Sequence, residues 1–235
     1  MALRLLSFPE LQATAVTPIS GPNARNSGAN TASDGGEQTF DTLGDVVAVR
    51  VAFPPRIGAG ARRERGAMTA LLSGANALRF DCPDPDRMSV VEAGGSTNGA
   101  LNWTDGNSWS DGTQWQAGYP EVAVAIAAAL DDGIVNLADQ YWGYNLGYGD
   151  VIGFTPFHFG RYMVTEVLDE GEYRIWPRLR KAITTATFAT LRPVAAMRPA
   201  GRDAVSLGRG LSSTEGQGVT LVEVFDYYVR DYYTG

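Results

Sequence analysis

GYGDVIGFTPFHFGRYMVTEVLDEGEYRIWPRLRKAI, residues 147–183, is the stretch from which the rest of the chain is read. It holds three short, partly alternating apolar runs, Asp150–Phe154, Arg161–Leu168 and Glu172–Trp176, each bounded by turn residues. That is the pattern of strands joined by tight turns. Asp169-Glu170-Gly171 predicts a hairpin turn between the second and third runs, with glycine supplying the permissive backbone. Phe188–Val194 continues the pattern as a fourth strand that stops near Pro193. Together these runs predict a small antiparallel barrel or sandwich.

Immediately upstream, Val122–Ile126 and Ile134–Leu137 are split by Asp131-Asp132-Gly133 and predict a hairpin feeding the same barrel. Downstream, Ala195–Gly218 reads as a loop carrying Arg198, Arg202 and Arg209. The last element, Val219–Arg230, alternates throughout and predicts a long final strand. That strand is expected to return to an N-terminal sheet, which makes the barrel an insertion and explains why the N-terminal half alone is short of strands.

In the N-terminal half, Leu3–Phe8 reads as a first strand and Thr17–Gln38, polar and without periodicity, as a long extended loop. Asp45–Phe53 is valine-rich and alternating, a good strand ended by Pro54-Pro55. Ala59–Leu78 is the one convincing helix, with Met68, Leu71, Leu72, Ala75 and Leu78 at helical spacing. Arg62, Arg63, Glu64 and Arg65 open it on the solvent side. Positive charge near a helix start opposes the macrodipole, so Arg62, Arg63 and Arg65 are candidates for pairing with a neighbouring subunit; an ordinary solvated face is the favoured reading. Arg79–Cys82 leaves the helix as a strand, and Pro83-Asp84-Pro85-Asp86 is a turn and a candidate boundary.

Composition narrows the function classes. A chain of 235 residues accommodates one large β-domain or two small ones. The net charge of −7 argues against general nucleic-acid binding, which needs a basic face to displace counterions. Only Lys181 among the 19 basic residues is a lysine; arginine supplies the planar, multi-donor contacts favoured at interfaces, although a GC-rich coding sequence is the favoured account of the bias. The single Cys82 permits no intramolecular disulfide and reads as a small core residue. Met1–Leu6 is too short for a signal-peptide core, and no apolar run reaches membrane-spanning length. The expectation is therefore a protein with no membrane anchor.

Catalytic apparatus is not expected. A serine triad needs a histidine base, and the one histidine, His158, sits between aromatics in a turn without a serine motif. No set of His and Cys ligands can be assembled for a metal, and no phosphate-cradling glycine loop is present. Asp105 and Asp111 stand beside tryptophans, where a glycosidase pair is conceivable, and with Asn107 they offer oxygens to calcium. Both aspartates occupy Asp-Gly turns, where backbone hydrogen bonding explains them. The same stretch holds a short repeat, Trp103-Thr104-Asp105-Gly106 followed by Trp109-Ser110-Asp111-Gly112, and then Trp115. Trp103, Trp109 and Trp115 either pack the loop onto a domain or subunit, the favoured reading, or form a platform that stacks on sugars. No cofactor and no metal is expected.

Asp139-Gln140-Tyr141-Trp142, Gly149–Phe154, Phe159–Val167 and Tyr173–Pro177 resemble the small β-domain of tail proteins from long-tailed bacteriophages and gene-transfer-agent-like particles, closest to the distal tail protein. The strand–helix–strand layout of the N-terminal half resembles that family's ring-forming domain. The resemblance implies a mainly β fold: a β-sandwich-like, belt-forming domain with one helix, residues 1–85 and 206–235, and an inserted antiparallel β-barrel, OB-like or similar, residues 86–205 with the Trp-rich loop. It implies a structural virion protein, not an enzyme, at the phage tail tip and assembled in the host cytoplasm. Its subunits would close into a hexameric ring between a tail tube protein and a tail hub protein. The alternative from the residues themselves is a carbohydrate- or receptor-binding module using Trp103, Trp109 and Trp115.

Overall fold

The computed structural model describes residues 3–8, 13–21, 24–26, 39–41, 45–72, 76–95, 119–138, 145–201 and 217–225. Among these the protein is mainly β with one α-helix, and most strands fall into two six-stranded sheets. The chain divides into two compact units, Met1–Pro83 with Ala195–Gly235, and Asp84–Val194.

The first unit contains β1 (Arg4–Leu6), β2 (Ala15–Pro18), β3 (Ala24–Asn26), β4 (Thr39–Asp41), β5 (Ala48–Phe53), α1 (Gly58–Leu72) and β6 (Asn76–Phe80). After the inserted unit come β13 (Ala195–Pro199) and β14 (Gln217–Glu223). Its sheet runs β1-β6-β13-β14-β5-β2. Only β1 and β6 are parallel; the other neighbours are antiparallel. Strand partners in register share a face, so Val49 and Val51 line up with Leu221 and Val219, and Met197 with Leu78. All six are buried. The opposite face is buried at Leu5, Ala77 and Ala196 but turns to solvent at Arg50 and Thr17. The Val-rich alternation of β5 thus sets a half-buried strand near the edge. β6 and β13, against which α1 packs, bury residues on both faces, Ala77 and Ala196 on one and Leu78, Phe80, Ala195 and Met197 on the other.

Four elements differ from the sequence reading. The helix ends at Leu72, not Leu78, and Asn76 already opens β6. Asn76 Nδ2 donates to the Ala70 carbonyl at 2.9 Å, satisfying one of the acceptors left over at the helix end. Ala195–Pro199, placed in a loop by the sequence, is β13; it pairs with β6 and β14, so the chain re-enters the first unit at Ala195 and not at residue 206. Within the expected loop at Thr17–Gln38, Ala24–Asn26 forms a two-stranded ladder with Thr39–Asp41, while residues 27–38 lie outside the described residues. The final strand ends at Glu223, and residues 226–235 lie outside the described residues.

The second unit holds β7 (Val122–Ile126), β8 (Ile134–Leu137), β9 (Val151–Thr155), β10 (Tyr162–Asp169), β11 (Glu172–Trp176) and β12 (Phe188–Thr190). Each pairs antiparallel with two neighbours, and the order β10-β11-β8-β7-β12-β9 closes on itself. The inward residues of the alternating strands fill the interior: Val122, Val124, Val135, Leu137, Ile152, Phe154, Tyr162, Val164, Tyr173 and Ile175. The β10–β11 turn lies at Asp169-Glu170-Gly171, with Gly171 at a φ of 77° that glycine adopts without strain. Gly153 faces Pro193 so closely that a Cβ there would lie 2.7 Å from the proline Cα. Upstream, Ser89 and Glu92 form a reciprocal cap: Ser89 N–H donates to the Glu92 carboxylate at 2.7 Å, and Glu92 N–H to Ser89 Oγ at 3.2 Å.

Candidate functional site

The candidate contact surface is the start of α1. Pro54-Pro55 cannot extend the ladder beyond β5, and Gly58, at a φ of 60°, turns the chain into the helix. The inward stripe is Glu64, Ala67, Met68 and Leu71, at the i, i+3, i+4, i+7 spacing of a buried helix face. Arg62, Arg63 and Arg65 all point outward and are exposed. Arg62 and Arg65, three apart, are surface neighbours, and neither makes an ion pair among the described residues. The first turn holds no acidic residue to offset the arginine charge that follows it. Ile57, just ahead of the helix, is 71% exposed.

Glu64 corrects the sequence reading, which placed it with the solvent-side arginines. It is 5% exposed, with Arg56 Nε 3.5 Å from Oε2, and neither carboxylate oxygen has a hydrogen bond among the described residues. Burial raises its pKa above the ordinary carboxylate value, and the Arg56 charge opposes that rise. The signal was present in the sequence: Glu64 lies four residues before Met68 and seven before Leu71, on the same stripe.

In the second unit, His158 lies in the loop between β9 and β10, 5% exposed, with the rings of Phe154 and Tyr162 at 5.2 and 5.5 Å. The Tyr162 hydroxyl accepts the Arg180 backbone N–H at 3.0 Å, which leaves its own proton for His158 Nε2 at 2.6 Å. We assign the imidazole as neutral, with its proton on Nδ1. Burial holds its pKa down at about 3, the Lys181 charge adding to the effect. A ring sealed in this way packs the fold; it has no access to a substrate proton. Cys82 is likewise buried, with Sγ 3.5 Å from the Phe80 carbonyl.

A cavity of about 450 Å³ opens in the first unit beside the end of β14, lined by Leu3, Val46, Val222, Val224 and Phe225, with Arg198 and Glu223 as its polar members. The Glu223 carboxylate accepts the Val47 N–H at 3.2 Å and so ties the end of β14 to the approach of β5. Among the described residues no three of His, Cys, Asp and Glu gather as a metal site, and no helix is long and apolar enough to cross a membrane. Trp103, Trp109, Trp115, Asp105 and Asp111 lie outside the described residues, as do Asp139–Trp142.

No family model matches the chain, and no curated protein matches it.

Proposed function

We propose that the chain is a structural subunit of a phage or gene-transfer-agent-like tail, forming the ring that joins the distal end of the tail tube to the tail-tip hub. One observation carries the reading: a six-stranded sheet with one helix is interrupted between β6 and β13 by a second, self-closed six-stranded unit. The resemblance implies an interrupted domain of this kind, and on that reading the first unit is the sandwich-like belt domain and the second the inserted OB-like barrel. Its work is assembly: identical subunits associate head to tail and close around the tail channel, a hexamer by the resemblance, with tube protein on one side and hub protein on the other. No catalytic step, cofactor, membrane or direct nucleic-acid contact enters, and the working location is the virion.

Light scattering and negative-stain images of the purified protein test this. A closed ring several times the 25.1 kDa subunit mass is expected. A chain that stays at 25.1 kDa at every concentration, alone and with tail tube protein, overturns it.

A further inference from the structure

We propose that the head-to-tail contact between copies is made by the outward face of α1 on one protomer and the β10–β11 hairpin tip on the next; the inference rests on the ring reading above. The argument is complementarity in charge and in apolar character. The donor surface presents Arg62 and Arg65, without ion pairs among the described residues, and the exposed Ile57 immediately precedes the same helix.

Most carboxylates elsewhere in the described chain are already engaged. Glu166 pairs with Arg174 at 2.7 Å, Asp81 with Arg79 at 2.9 Å, and Asp132 and Asp150 accept backbone N–H groups at 2.6 and 2.7 Å. Asp86, Glu121 and Asp131 stand singly. The hairpin tip is different. Asp169 uses only Oδ1, to accept the Glu170 N–H at 2.8 Å, and Glu170 and Glu172 have no partner among the described residues. Three acids thus fall within one tight turn, and Val167 and Leu168 beside them are each 37% exposed at the end of β10.

An apolar centre with charged groups around it is the composition of a specific contact, and arginine forks bind carboxylates in two-pronged geometry. Under the ring reading the contact is used head to tail, each protomer giving its helix face to one neighbour and its hairpin to the other; a reciprocal two-fold pair would stop at twice the subunit mass. Each protomer offers one of each, so repetition closes a ring or extends a filament. A second copy of this chain is therefore the occupant.

The test uses the full chain in three variants: Arg62→Glu with Arg65→Glu; Asp169→Arg with Glu170→Arg; and all four substitutions together. Assembly is read as mass against concentration by light scattering, with circular dichroism as the folding control. Each one-sided variant places like charges opposite one another and should raise the concentration for half-assembly at least about tenfold. The four-fold variant restores opposite charges and should assemble like the parent, as should an equimolar mixture of the two one-sided variants. Raising salt from 0.1 to 1 M, which shortens the screening length from about 10 to 3 Å, should weaken the parent. Folded one-sided variants that assemble normally, or a folded four-fold variant that fails to recover, overturn this contact and leave the ring reading standing. A parent that never assembles overturns both.

Discussion

Lowering the pH from 7 to 5 should cost the inserted unit about 2 kcal/mol through His158 alone. In the unfolded chain the imidazole titrates near its ordinary 6.5, whereas in the folded unit it is held at about 3. The folded pKa is depressed, so the contribution is complete above 6.5 and is lost as pH falls, because only the unfolded chain takes up the proton. At pH 5 the gap is roughly 1.5 pH units at 1.36 kcal/mol each, or about 2 kcal/mol. Below pH 3 it saturates at about 5 kcal/mol by the same arithmetic. No tryptophan occurs in residues 1–83 or 195–235, and Trp176 belongs to β11, so tryptophan fluorescence follows this unit and not the first. Urea unfolding followed by that signal, for the parent and for His158→Gln, isolates the histidine from the carboxylates common to both. Gln keeps an acceptor for the Tyr162 hydroxyl and cannot titrate. The parent should lose about 2 kcal/mol more than the variant between pH 7 and 5. Parallel losses in the two proteins would refute the burial argument.

Three further outcomes are expected. Gly153→Ala forces a Cβ against Pro193 and should destabilise the inserted unit by about 1–3 kcal/mol, read as an earlier urea midpoint in tryptophan fluorescence. Leu221→Ala empties a site 1% exposed in the first sheet and should cost about 2–5 kcal/mol in unfolding followed by far-ultraviolet circular dichroism. Glu64→Gln removes a carboxyl whose folded pKa is raised, so the first unit should be no less stable than the parent at pH 7, with any gain vanishing as pH falls into the ordinary carboxylate range. A loss at pH 7 in thermal unfolding would show that the Arg56 pairing outweighs the desolvation of Glu64.

What the sequence showed depended on how cleanly each element repeats. β10, β11 and their turn were legible because one face is buried and one wet, which writes a period of two into the residues. β13 was not: Ala195, Ala196 and Met197 are all buried, so no alternation survives, and Pro193 reads as the end of the preceding strand. The helical pattern overruns the true end because Ala75 and Leu78 follow Leu71 at steps of four and three, although Leu78 and Phe80 already alternate as strand. β3 and β4 carry too few apolar residues to register as strands at all. At the candidate site, the outward arginines were legible from their position at the helix start. From residues alone the acid hairpin tip reads only as a turn, since what sets it apart is that carboxylates elsewhere are engaged, a property of the folded contacts.

Phe80 and Ala195 are direct partners in the first sheet, one at the last residue of β6 and the other at the first of β13. The chain therefore leaves and re-enters that sheet at a single rung of the ladder. Joining two strands across roughly 110 intervening residues costs about 3 kcal/mol more in closure entropy than joining them by a four-residue turn, if the intervening chain is flexible. Once the inserted unit has folded, that chain is no longer flexible, and the closure is set by the separation of the unit's own ends. With a short turn in place of residues 81–194, β6 and β13 would be joined as an ordinary antiparallel hairpin, because their register already begins at Phe80 and Ala195.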